Sequence, residues 1–378
     1  MNNVHYPIWM DEYVFYRLSS QLPEYSSTAD WFYDDRPEVM NASMDWESMG
    51  FDYDAALRLT YDTPVFHHTP LAPILVWPLV KGLNTLADNG VIPHIEEQPG
   101  AYPIRYNPDG SFASDEEVHR NVLLQHAEII TVILRLIPLG LFFISMWLIY
   151  NLMSRKVGLN AMLFIIPVAV SDVLLSGSYM FYWDAFMLFF FVLTLYLMET
   201  KPDGKWHYLT AMCMINTKIF IPFLFLIPLI MKGWQKSKKE ALFMLLTGFS
   251  ILPFYAVTVA QTGDLFYLFH HYTEGVWITS FIYTSMLDPK TLLNFGTVVY
   301  FIATLPILYY YKKYPVYATA FLMGMLYGWG SGLGITQLST LLYVGALVTP
   351  LLGGEWHIME RVQGWIGIKK PIKVSEYG

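Results

Sequence analysis

The chain has 378 residues, of which 54% are apolar and 17% aromatic, while only 14% are charged. An ordinary soluble domain carries about 25% charged residues, so the composition argues strongly against a soluble enzyme. Charge is also divided along the chain: residues 1–128 hold 20 acids and 6 bases, residues 129–378 hold 11 acids and 17 bases, and the whole chain carries −8. The single Cys213 lies in an apolar run, which excludes an intrachain disulfide and any thiolate metal cluster. An acidic pI of about 5.7 without an Arg/Lys-aromatic stripe gives no footprint for a nucleic-acid partner.

In chain order, residues 1–128 form an acidic, polar segment interrupted by one apolar stretch, Leu71–Leu86. That stretch is short and contains Pro73 and Pro78, so it reads as a helix lying at a membrane interface, not as a span. From residue 129 the chain becomes a series of apolar blocks, at 129–152, 158–176, 184–199, 206–231, 240–260, 292–311, 315–330 and 335–352. About 20 residues cross a ~30 Å hydrocarbon core, so these are candidate membrane segments. Residues 353–378 form a basic tail.

The breaks between blocks hold Arg155 and Lys156, then Lys201 and Lys205, then Lys232, Lys236, Lys238 and Lys239, then Lys312 and Lys313. The positive-inside rule puts all of them, and the tail, on the cytoplasmic side. Lysines then flank block 206–231 on one and the same side, which a single crossing forbids. The block is therefore expected to turn back on itself, with Asn216, Thr217 and Lys218 at the outer tip and Pro222 starting the return. Non-helical backbone at membrane depth is tolerated only beside protein or a water-filled cavity, so the turn points to a site. With this repair residues 1–128 face outside, yet no signal peptide or first span precedes them, and an internal or truncated start at Met1 is expected.

Several residue patterns then carry a likeness. Trp9-Met10-Asp11-Glu12-Tyr13-Val14-Phe15-Tyr16 is followed by Pro64-Val65-Phe66-His67-His68-Thr69-Pro70-Leu71. Next come Arg135-Leu136-Ile137-Pro138, Tyr182-Trp183-Asp184-Ala185-Phe186 and Asn216-Thr217-Lys218. Together and in this order they resemble the GT-C membrane glycosyltransferases, particularly the protein O-mannosyltransferases and the aminoarabinose transferases of lipid A, over about residues 8–232. The departures are the absent first span, Thr69 where the family motif has Pro, and a Pro- and acid-rich insert from Asn89 to Gln125. The resemblance implies an all-α, polytopic helix bundle with an outer juxtamembrane helical segment. It also implies transfer of a sugar from a polyprenyl-phosphate donor to a protein, lipid or glycan acceptor at the outer face of the plasma membrane.

On that reading Asp11 is the candidate base for the acceptor hydroxyl, because a carboxylate there can take its proton as an oxocarbenium-like centre develops. Glu12 points about 100° away on a helix, so it orients or binds instead. Solvated surface charge is the plain alternative for both. Asp184 heads an apolar block at the outer boundary and either binds the donor or interacts with its own helix dipole. Asp172 is a weaker case of the same kind. Arg135, Lys218 and Lys290 are the bases that break the inside rule, and a cation there can neutralise the departing phosphate. For Arg135 the alternative is snorkelling to headgroups, and for Lys290 an ordinary loop charge.

His270, His271 and Glu274 share one helical face and could hold phosphate or a divalent ion, although an aromatic interface helix without metal is the usual meaning of such a segment. No metal or other cofactor is otherwise called for. His68 matches the family motif, where it would hold the interface helix against the site. Trp9, Tyr13 and Tyr16 could stack on a sugar, and Asn41-Ala42-Ser43 fits a glycosylation sequon. Two other functions compete: a polytopic transporter or channel lined by the broken helix, and a catalytically inactive scaffold. A transporter usually shows an internal repeat, and none is evident.

Overall fold

The computed structural model describes residues 15–16, 19–20, 70–95, 129–169, 182–218, 221–266, 306–330 and 335–367. Among these residues every regular element is helical, and three helical stretches are long and apolar enough to cross a membrane: Ile129–Ala169, Trp183–Thr200 and Lys238–Ala260. A shorter apolar helix covers Pro315–Tyr327. The described residues are therefore all-α, with the candidate spans of a membrane protein. Its helices are α1 (Leu71–Asp88), α2 (Ile129–Val157), α3 (Ile165–Ala169), α4 (Trp183–Thr200), α5 (Trp206–Ile215), α6 (Ile221–Lys236), α7 (Lys238–Thr247), α8 (Leu252–Thr262), α9 (Pro315–Gly330), α10 (Ile335–Glu355) and α11 (Ile358–Trp365).

Contacts divide the chain into two compact units, one of Met1–Leu139, Tyr179–Trp183 and Leu252–Ile278, the other of Gly140–Ser178, Asp184–Ile251 and Thr279–Gly378. In the first unit α1 forms where the interface helix was expected. It buries Val76, Val80, Leu83 and Ala87 and exposes Ile74, Leu75, Leu79 and Leu86, so it is apolar on two sides. It ends at Gly90, whose φ of +70° suits a residue without Cβ. The amides of Gly90 and Val91 then return to the Ala87 and Leu86 carbonyls at 2.8 and 2.9 Å, a Schellman closure. The Tyr16 hydroxyl donates to Asn84 Oδ1 at 2.7 Å, and Phe15 packs edge-on to Trp183 at 4.6 Å. Tyr16 is thus tied to α1 through its hydroxyl.

The second unit is a bundle around α10, whose residues from Leu341 to Leu352 are buried almost without interruption. A helix apolar all round belongs in the middle of such a bundle. At its far end Gly353 and Gly354 meet the segment after α2 closely enough that an added Cβ would lie 1.9 Å from Leu163 Cδ1 and 2.6 Å from Val157 Cγ1. Helix α2 itself runs through Arg155 and Lys156 to Val157, past the break expected at 152, and continues as 3-10 helix over Gly158–Phe164. Two basic residues at a helix C-terminus are favoured by the dipole, which explains why the helix need not stop before them. Leu136, Phe143, Ile144 and Trp147 repeat on one exposed face of α2 and mark its lipid side.

Block 206–231 is broken as expected. Helix α5 stops at Ile215, the chain turns through 216–218, and α6 begins at Ile221 with Pro222 in its first turn, where the missing N–H costs nothing. Helix α6 joins α7 through Ser237, whose hydroxyl accepts from Glu240 N at 3.1 Å, the capping arrangement that Ser237-Lys238-Lys239-Glu240 encodes. Gly233 lets the two helices meet, since a Cβ there would lie 3.0 Å from the Ala241 amide nitrogen.

Basic breaks from distant parts of this unit gather together. Glu199, at the end of α4, is 3.1 Å from Lys156 Nζ and 2.5 Å from Lys232 Nζ, and accepts from the Tyr317 hydroxyl at 3.4 Å. Lys236 Nζ donates to the Pro202 carbonyl at 2.5 Å. The ends of α2, α4 and α6 and the start of α9 therefore lie side by side. That is the arrangement the double-back of block 206–231 requires.

Candidate functional site

The other end of the same helices holds a buried ion pair. Where α5 ends at Ile215, the amides of Asn216 and Thr217 reach the Met212, Cys213 and Met214 carbonyls at 3.1–3.2 Å. Their side chains add to this: Asn216 Nδ2 donates to Met212 O at 2.8 Å, and Thr217 Oγ1 donates to Met214 O at 2.6 Å. Asn216 Nδ2 also donates to Ser250 Oγ at 2.7 Å, which ties the turn to the segment after α7. The Asn-Thr pair thus holds the turn at the end of α5, and the next residue, Lys218, enters the bundle.

Lys218 Nζ lies 2.7 Å from Asp184 Oδ2 and 3.0 Å from the Tyr327 hydroxyl, which in turn donates to Asp184 Oδ1 at 3.0 Å. The ammonium is also 5.5 Å from the centre of the Tyr327 ring. The Lys218 and Asp184 side chains are 15% and 7% exposed, and Tyr327 is 3% exposed, so all three sit inside the protein. Asp184 is in the first turn of α4, where the helix dipole favours a negative charge. Tyr327 comes from the last turn of α9, 109 residues beyond Lys218. A carboxylate and an ammonium are each costly at membrane depth, and pairing them with a phenol between satisfies both.

Asp184 and Glu199 are the two ends of α4, fifteen residues apart and hence about 22 Å along the axis. The two clusters have the same chemistry on the same three helices. Asp184, Lys218 and Tyr327 form one from α4, the entry to α6, and α9; Glu199, Lys232 and Tyr317 form the other from the opposite ends. Among the described residues, only the Glu199 cluster also receives a second lysine, Lys156.

The structure therefore brings together two residues that the sequence nominated for donor binding, Asp184 and Lys218, and adds a third, Tyr327. A signal for Tyr327 was available: a phenol in an otherwise apolar helix needs a partner, and the alternation of spans puts it at the level of Asp184. Arg135 lies in the first unit and is only 1% exposed, so its guanidinium is held within the protein and does not snorkel to headgroups. Asp11, Glu12, His68, His270 and His271, with Glu274, Asp172 and Lys290, lie outside the described residues. Among the described residues no group of three His, Cys, Asp or Glu side chains could hold a metal ion. Comparison with protein-family models, with curated proteins and with solved structures found no match.

Proposed function

We propose that the protein is a membrane glycosyltransferase of the GT-C type, taking a sugar from a polyprenyl-phosphate donor. The observation that carries this reading is the buried Asp184–Lys218–Tyr327 cluster at a break in a membrane helix. A cation can be kept at that depth only if something holds it, and here a carboxylate and a phenol do. In the proposed reaction the acceptor hydroxyl attacks the anomeric carbon and gives up its proton to Asp11. The bond from that carbon to the phosphate oxygen breaks, and the electron pair leaves with the polyprenyl phosphate. Lys218 stabilises the growing phosphate charge, while Arg135, Glu12, His68, His270 and His271 keep the roles that the resemblance implies for them, at the outer face of the plasma membrane. A divalent ion held by His270 and His271 would supply further phosphate neutralisation in the same scheme. The broken helix with an internal ion pair also suits a transporter, in which these groups would line a solute path.

One assay separates the two. Purified protein is offered a panel of labelled polyprenyl-phosphate sugars, and release of sugar is compared between wild type, Asp11→Asn and Lys218→Gln. Consumption of one donor by wild type only, with weaker donor binding in Lys218→Gln, supports the transferase. Turnover by Asp11→Asn at the normal rate removes Asp11 as base. No consumption of any donor, together with solute flux in sealed vesicles, replaces the transferase with the transporter.

A further inference from the structure

Among the described residues, the lysines of the second unit other than Lys218 and Lys312 fall into two groups. Lys156 and Lys232 are paired with Glu199, Lys236 with Glu240 at 3.4 Å, and Lys313 with Glu355 at 2.6 Å. Lys201, Lys205, Lys238 and Lys239 are exposed, and among the described residues none of them has an acidic side chain within 4 Å. These four occupy one edge, because Lys236 bonds the 201–205 loop to the α6–α7 junction through the Pro202 carbonyl. The nearest remaining acid, Asp203, is fully exposed and 3.9 Å from Lys236.

Their placement is not explained by folding. Lys205 is the N-cap of α5 without any capping bond, and Lys238 and Lys239 are the first two residues of α7. Cations in the first turn oppose the helix dipole, so the positions cost stability where acids would have added it. Two tryptophans bracket the edge, Trp206 at 67% and Trp234 at 61% exposed, and Lys238 sits 5.9 Å over the Trp234 ring. Indoles of this kind settle at the headgroup level of a bilayer. Next to the lysines α5 and α7 pack on each other, with the Tyr208 ring 5.8 Å from that of Phe243. They expose Leu209, Met212, Leu242 and Leu246, a surface for acyl chains.

We propose that this edge binds an anionic phospholipid, the headgroup on Lys201, Lys205, Lys238 and Lys239 between Trp206 and Trp234, and the acyl chains on the α5–α7 face. Charge complementarity selects the occupant. Each juxtamembrane lysine contributes attraction to an anionic leaflet, and four unpaired ones beside an apolar wall fit a lipid better than a soluble anion. The site is independent of any transferase activity.

The test uses the full chain in nanodiscs of phosphatidylcholine with a minor fraction of phosphatidylglycerol, followed by native mass spectrometry of the lipids retained. Wild type is expected to retain phosphatidylglycerol, and the variant with Lys201, Lys205, Lys238 and Lys239 all changed to Gln should lose that preference by at least about tenfold. Changing the same four to Arg should keep it, and this second variant covers the case in which the Gln variant folds poorly. A control with Lys312→Gln and Arg361→Gln, two basic residues elsewhere in the unit, should retain the lipid. Equal loss in the control, no preference in wild type, or displacement by inorganic phosphate would each overturn the proposal.

Discussion

Removing the Lys218 side chain leaves Asp184 buried with, among the described residues, only Tyr327 as a side-chain donor. Breaking one partner of a buried pair commonly costs about 3–5 kcal/mol, whereas replacing both partners by apolar groups is often close to neutral. Lys218→Met is therefore expected to lower unfolding stability in detergent by about 3 kcal/mol, and Asp184→Leu added to it should restore most of the loss. A double variant as unstable as the two singles combined would show that the pair is not coupled. A second residue-level prediction concerns Glu355, after the apolar run of α10. Burial pushes its carboxyl up, but hydrogen bonds from Lys313 and Tyr314 outweigh this and hold it below the ordinary range, while the same Glu355 bond raises the Lys313 ammonium. The depressed carboxyl stabilises the fold above the ordinary carboxylate range and ceases to do so as pH falls through its folded value. The raised ammonium contributes until pH climbs through its own. Lys313 is 61% exposed, so the contribution is small and screened by salt. Stability lost between about pH 6 and about pH 3 should accordingly be smaller in Glu355→Gln than in wild type, and equal loss would remove the pair from the account.

Between elements, the close approaches are set by glycine. At Gly233 an added methyl would meet the backbone of Glu240 and Ala241, which cannot rotate away, so Gly233→Ala should force α6 and α7 apart at a cost of about 1–3 kcal/mol. At Gly354 the obstacle is Val157, stiff at χ1, whereas at Gly353 it is chiefly the tip of Leu163, which can turn aside. Gly354→Ala is expected to destabilise more than Gly353→Ala in thermal melts of the purified protein, and the reverse order would show that α10 and Leu163 have less freedom than the packing indicates. The helices themselves were legible in the sequence because each is an apolar run bounded by Pro, Gly or charge. The end of α2 was not, since Arg155 and Lys156 look like a break in a hydropathy reading yet suit a helix C-terminus. The α5–α6 break was legible only through charge parity, as nothing in the local propensity of Met212–Ile215 stops a helix.

For the molecule, charge distribution was the most informative part of the sequence. It placed Asp184 and Lys218 at one level and the basic breaks at another, and both groupings are met in the second unit. Tyr327 was missed because hydropathy does not tell which of the two phenols of this apolar helix, Tyr317 or Tyr327, meets the Asp184 level. The same logic predicts labelling: on a Cys213→Ser background, single cysteines at Asp203, Ser237 and Lys313 should react with an impermeant reagent from one side of the membrane. Reaction of one of them from the opposite side would undo the double-back of 206–231. The matching clusters at the two ends of α4, α6 and α9 carry one further consequence. Two rungs about 22 Å apart fix the vertical register of these helices, since a slip of one helical turn, about 5.4 Å, would sever both rungs at once. The three helices must then travel as a single rigid frame, and any opening that admits a ligand has to come from elements outside the frame, not from one helix sliding past another.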